Sequence, residues 1–163
     1  MGDGWIIKKI KEAVGIKLPP GYEPGRINIE GIVAAAYAAN DALGTQFKIA
    51  CPKGSILSCV TYYDLSDLNT QVNVVISRRP FGTQIADNAQ FDVPAADELK
   101  IDYQLEFVVF TDHLTSRSSY IDQIGRDLKF PEGECYLQAW TPAAQTLLAN
   151  RLPRIELKFR PDE

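Results

Sequence analysis

The chain holds a single histidine, His113, in the run Thr111-Asp112-His113-Leu114-Thr115-Ser116. A carboxylate, an imidazole and a hydroxyl are the parts of a hydrolytic triad. In such a triad the imidazole takes the hydroxyl's proton and the carboxylate orients the ring. The three groups must meet in space beside donors for an oxyanion, and the chain carries no Gly-x-Ser-x-Gly elbow. His113 is therefore expected to be a loop histidine, with an esterase-like use of it as the remote alternative; the chain is not expected to be an enzyme.

A second gathering is acidic: Asp64, Asp67, Asp87, Asp92, Asp97, Glu98 and Asp102. Calcium takes oxygen ligands from such residues. The densest part, Asp64-Leu65-Ser66-Asp67-Leu68-Asn69, has leucines in its second and fifth slots and no central glycine. Asp and Asn also make turns through their own backbone, so solvated turns are expected, with no metal and no cofactor. No two of these acids are placed by spacing at a glycosidase separation. Tyr62, Tyr63, Tyr103, Tyr136 and Trp140 could line a sugar platform, but such residues more often fill cores and interfaces. No phosphate-cradling glycine motif occurs.

The three cysteines, Cys51, Cys59 and Cys135, are an odd set, read as reduced core thiols rather than a disulfide framework or a zinc site. A tight hairpin at Pro52-Lys53-Gly54-Ser55 would pair Cys51 with a residue near Ile56, not with Cys59.

The elements that must position these residues are mostly strands. The length of 163 residues, 45% apolar and 23% charged, fits one globular domain. The net charge of −4 gives no electrostatic case for nucleic acid. The nearest basic cluster, Arg151, Arg154, Lys158 and Arg160, is diluted by Glu156, Asp162 and Glu163. No apolar run is long enough for a membrane helix. The start is not expected to be a signal peptide, because Lys8 and Lys9 interrupt its apolar residues. A reducing cytoplasm is the expected place of synthesis.

Period-two alternation recurs at Ile27–Glu30, Phe47–Ile49, Ile56–Tyr63, Val72–Ser77, Ile101–Val109, Cys135–Trp140 and Arg154–Arg160, and more weakly at Leu128–Phe130. One dry face per strand is what an antiparallel sheet requires. In the Ile56–Tyr63 run, Ile56, Val60 and Tyr62 are assigned one face and Leu57, Cys59 and Tyr63 the other. The expected fold is mostly β: a single antiparallel β-sandwich, jelly-roll-like, over residues 26–163. Short helices are expected at Pro94–Leu99 and Pro142–Asn150. Residues 1–25 read as a separate arm. Ile6, Ile7, Ile10 and Val14 follow Asp3 at helical spacing. A linker with Pro19, Pro20, Gly21, Pro24 and Gly25 then makes a stiff spacer. Such an arm either packs on its own domain or docks on a neighbouring subunit.

Two stretches carry a resemblance. They are Gly31-Ile32-Val33-Ala34-Ala35-Ala36-Tyr37-Ala38-Ala39-Asn40-Asp41-Ala42-Leu43-Gly44-Thr45 and Ile85-Ala86-Asp87-Asn88-Ala89-Gln90-Phe91-Asp92-Val93-Pro94-Ala95-Ala96-Asp97. With the strands between them, over about residues 30 to 110, they resemble small virion proteins encoded beside the capsid genes of tailed bacteriophages. The segments mark the family and not an active site. Asn40-Asp41 with Gly44, and Asp87-Asn88, are expected to make turns, with Phe91 inserted into the core.

The resemblance implies a β-sandwich capsid decoration, or cement, protein. It would bind the outer face of a shell, clamp neighbouring major capsid subunits and form a homotrimer, placing the protein on the virion surface. Trp5, Ile6, Ile7, Ile10, Val14 and Leu18 are the expected capsid contact. A neck or tail component, or a carbohydrate-binding sandwich module for a host surface, are the alternatives.

Overall fold

Ile155, Leu157 and Phe159 alternate with charged neighbours, so a strand there can hide one edge of side chains and wet the other. The computed structural model describes residues 25–122, 124 and 128–162. The expected helical arm, with its contact residues Trp5, Ile6, Ile7, Ile10, Val14 and Leu18, lies outside the described residues. In chain order the elements are β1 (Arg26–Asn28), β2 (Ala36–Tyr37), β3 (Asp41–Ala50), β4 (Ser55–Asp64), β5 (Val72–Ser77), the short helix α1 (Ala95–Glu98), β6 (Ile101–Phe107), β7 (Thr111–Asp112), β8 (Arg117–Asp122), β9 (Lys129–Phe130), β10 (Glu134–Thr141), β11 (Gln145–Thr146) and β12 (Arg154–Arg160).

One sheet runs β1-β12-β4-β8-β7, with β9 beside the start of β4; a second runs β3-β10-β5-β6; β2 and β11 form a small ribbon. Every one of these pairings is antiparallel. Setting aside the two-residue strands β2, β7, β9 and β11, eight strands remain. Counted along the chain, they stand first-eighth-third-sixth in one sheet and second-seventh-fourth-fifth in the other. That interleaving is the wiring of a jelly roll, two Greek keys wound together.

The inner faces meet in one core. Val60, Tyr62, Ile155 and Leu157 from the first sheet and Leu43, Val74, Ile76, Phe107 and Leu137 from the second are all buried in it. The Tyr62 and Phe107 rings touch between the sheets at 5.7 Å. Each such side chain contributes about 1.5–3 kcal/mol by leaving water.

Several expectations change. β3 and β4 are not a hairpin: β3 pairs β10 and β4 pairs β12 and β8, so Cys51 lies just past the end of a strand of one sheet and Cys59 within a strand of the other. The Pro52–Ser55 turn crosses between sheets because its backbone finds partners elsewhere. Cys51 N–H donates to Gly133 O and Gly54 N–H to Phe130 O. Leu57 faces the core, not the outside. The register skips Ser58, with Phe159 opposite Leu57 and Lys158 opposite Cys59, and the extra residue of such a bulge inverts the alternation. Val109 lies beyond β6 and is 78% exposed. Pro142–Asn150 forms no helix; its Gln145 and Thr146 pair with Tyr37 and Ala36 instead.

The outer face of the second sheet is also covered. All six residues of β5 are buried. The 78–100 connection, which carries α1, lies over them, and polar residues of the sheet anchor it. Phe81 N–H donates to Gln46 Oε1 at 2.8 Å. Gln138 Nε2 donates to Ile85 O at 3.0 Å. Phe91 stacks on Trp140 with centroids 5.5 Å apart, so Phe91 caps the sheet's outside rather than entering the core.

Candidate functional site

The two stretches that carry the resemblance meet in space, where Gly44 of the first contacts Asp87 of the second, 43 positions further along the chain. Asp87 makes the join. Its Oδ1 accepts the Gly44 N–H at 2.6 Å, and both its oxygens lie 3.0 Å from the Tyr37 hydroxyl. That hydroxyl also reaches Val33 O at 2.8 Å. Burial, and then the Asp87 carboxylate, push the Tyr37 hydroxyl well above the usual phenol range, so it stays protonated and serves as a donor. Main-chain bonds complete the join: Ala42 N–H to Ala89 O, Asn88 N–H to Ala42 O, and Phe91 N–H to Asn40 O. The Asn88 amide, with its nitrogen turned inward, donates to Asp41 Oδ2 at 3.0 Å and Ala36 O at 3.2 Å.

Residue types here follow backbone geometry. Asn40, Gly44 and Asn88 have φ of 70°, 79° and 59°, a region only Gly and, less readily, Asn visit at low cost. At Gly44 a Cβ would overlap Glu30 O and lie 2.7 Å from Ile29 Cγ2. Asp41 and Gly44 therefore belong to β3 itself, and the turn ahead of it is made by Asn40. The pattern describes a structural clasp.

Two further aspartates from the acidic gathering do the same work and are not solvated. Asp64, 4% exposed, accepts the N–H groups of Ser66, Leu68 and Asn69 at 3.0, 2.6 and 3.0 Å. Asp97, 3% exposed, accepts those of Gly82 and Thr83 at 2.8 and 3.0 Å and pairs with Lys100 Nζ at 2.7 Å. The Gly82 N–H, then Lys100 and Thr83, hold the Asp97 carboxyl down at about 2. Among the described residues no group of three or more His, Cys, Asp or Glu side chains is gathered as a metal would need.

His113 is exposed. Its Nε2 lies 2.8 Å from Ser118 Oγ, not from Ser116. Asp112 is turned elsewhere: Oδ1 accepts the Leu114 N–H at 2.8 Å and Oδ2 lies 3.4 Å from Arg117 Nη2. The five aromatics do not form one platform. Tyr62 is in the core, Tyr63 lies under Arg26 at 4.2 Å on the outside of the first sheet, and Trp140 lies against Phe91 on the second. The basic residues Arg154 and Arg160 stand exposed on β12, beside Lys158.

The described residues hold an open groove of about 380 Å³ where the two sheets part, between the end of β6 and the far side of β8. Glu106, Val108, Val109, Ser119, Tyr120 and Ile121 are on its walls. Val108, Val109 and Tyr120 are 56%, 78% and 66% exposed. Among the described residues, β8 has a strand on this side only at Arg117 and Ser118, opposite β7.

No family model matches the chain, and no curated protein matches it. Among solved structures it is similar to a chain of tomato aspermy virus, at 11% identity and a TM-score of 0.39, covering 98% of this chain and 96% of that one. It is also similar to a chain in the complex of the Aeromonas sobria serine protease with its chaperone, at 18% identity and a TM-score of 0.34, covering 96% of this chain and 30% of that one. Both scores lie below the level at which a likeness speaks to fold or function.

Sequence reasoning missed the groove and β8. Arg117-Ser118-Ser119-Tyr120-Ile121-Asp122 has a weak alternation, since Ser119 rather than an apolar residue takes one inward position. It also treated the two stretches as separate turns. The left-handed tolerance of Asn40, Gly44 and Asn88 was visible, but their meeting was not.

Proposed function

We propose that the chain is a structural protein of a tailed-phage particle: a capsid decoration protein that binds the outer face of the shell, clamps neighbouring major capsid subunits and works as a homotrimer. The clasp supports this reading. The residues that carry the resemblance to small virion proteins are the ones that join the second sheet to its covering loop, through Asp87, Tyr37 and Gly44. The pattern thus tracks a construction feature of a β-sandwich, which is the architecture the resemblance implies. The jelly roll itself does not choose a function, because capsid, lectin and cupin domains share it. No turnover is assigned to His113.

The test is co-sedimentation of the purified protein with undecorated shells assembled from the major capsid protein of the same particle. Saturable binding at a fixed ratio to capsid subunits is expected. Shells that pellet without it overturn the proposal.

A further inference from the structure

The β6–β8 groove joins two unmet needs. Its walls expose Val108, Val109 and Tyr120, and beyond Ser118 the edge of β8 has no strand beside it among the described residues. Exposed apolar surface and an open strand edge both invite another segment. Acids stand on its rim: Glu106 lines it, and exposed Asp122 closes β8. The volume of about 380 Å³ falls at the lower end of sites that hold small ligands or a few side chains, roughly 300–1,000 Å³.

One stretch of the chain carries the matching chemistry. Before Gly25 stand Trp5, Ile6, Ile7 and Ile10, interleaved with Lys8, Lys9 and Lys11. Apolar side chains suit the walls, and lysines suit Glu106 and Asp122. That stretch enters the domain at β1, the edge of the first sheet opposite to β8 and β7. Its own route to the groove would cross the outside of β12 and β4, which presents Arg154, Glu156 and Tyr63 rather than an apolar path. The connection holds Pro19, Pro20 and Pro24, a composition that favours a stiff, extended chain able to reach a neighbour. A neighbouring copy that sets its groove edge against this β1 edge avoids the crossing. Two different surfaces then meet, a heterologous contact, which builds a ring where the rotation between copies closes and an open chain where it does not.

We infer that the Trp5–Lys11 segment of one copy docks in the β6–β8 groove of the next. This rests on the self-association in the reading above and not on the particle. The sequence alone set these side chains against the shell; the groove supplies a receptor for them on a second copy of the chain.

The test uses the full chain and no capsid. Wild type, a groove variant (Val109→Lys with Tyr120→Lys) and an arm variant (Ile6→Asp with Ile7→Asp) are compared by sedimentation velocity. Wild type should be an oligomer, and each variant should shift to monomer. Mixing the two variants should restore a dimer, because the intact arm of one meets the intact groove of the other. Glu106→Lys, which leaves the apolar walls in place, should weaken association at least tenfold; it keeps the test decisive if the double groove variant does not fold. A monomeric wild type overturns the proposal. So does a groove variant that stays oligomeric, or a mixture that stays monomeric, the latter pointing to docking of each arm on its own domain.

Discussion

Replacing Gly44 by alanine isolates the tightest contact of the clasp. Gly44 has a φ of 79°, where an L side chain costs about 1–2 kcal/mol. The added Cβ would also overlap Glu30 O and stand 2.7 Å from Ile29 Cγ2. One partner is backbone and the other a buried side chain, so neither yields cheaply; forced overpacking of this kind costs about 1–3 kcal/mol. Gly54 provides the control. Its φ is 73° but nothing lies within 4 Å of an added Cβ. Both variants gain about 0.4–1 kcal/mol from a stiffer unfolded chain. The difference between them is therefore the contact alone, about 1–3 kcal/mol. For a chain of this size each kcal/mol moves Tm by about 2–4 °C, so Gly44→Ala should melt roughly 2–12 °C below Gly54→Ala. Circular dichroism melts of both variants measure this. If the two melt together, the close approach of β3 to residues 29–30 does not hold the clasp.

Tyr37→Phe removes the hydroxyl that faces both Asp87 oxygens; leaving a half-buried carboxylate short of a donor should cost about 1–3 kcal/mol in urea unfolding, and an unchanged midpoint would count against the network. Asp97 titrates at about 2 in the fold against 3.8 ordinarily. Its stabilising effect is then complete above the ordinary value and lost as pH falls from there through about 2. Melting curves across that window should slope for the wild type and flatten for Asp97→Asn, and parallel slopes would contradict the assignment. Burial raises the Cys135 thiol well above its ordinary value, so in native protein at pH 8 it should resist alkylation far longer than the half-buried Cys51 and Cys59. Intact mass should also show all three reduced, and a mass two daltons light would refute that.

The inner faces were legible because apolar alternation reports burial directly. Val72, Val74 and Ile76 were placed inward, and they are there. What alternation cannot report is a second burial of the polar side. Ser77 and Gln138 read as solvent-facing, yet the 78–100 connection lies over them: its Phe81 N–H donates to Gln46, and its carbonyls at Arg79 and Ile85 accept from Ser77 and Gln138. Bulges defeat it too, as at Leu57, where one extra residue opposite β12 inverts the faces. Pairing partners are likewise invisible locally, so the Pro52–Ser55 turn passed for a hairpin when it crosses between sheets. The acids misled for a related reason. Asp64, Asp87 and Asp97 are spaced like solvated turn residues, but Asp64 and Asp97 accept loop N–H groups and Asp87 accepts the Gly44 N–H of β3, donors that only the folded chain supplies.

The most direct test of the proposed role is to image phage particles assembled in cells that make the chain, with the protein marked by a gold-labelled antibody. Decoration spread over the outer shell at regular lattice positions is the predicted result. Label confined to the neck or tail, or particles that carry none, would contradict it.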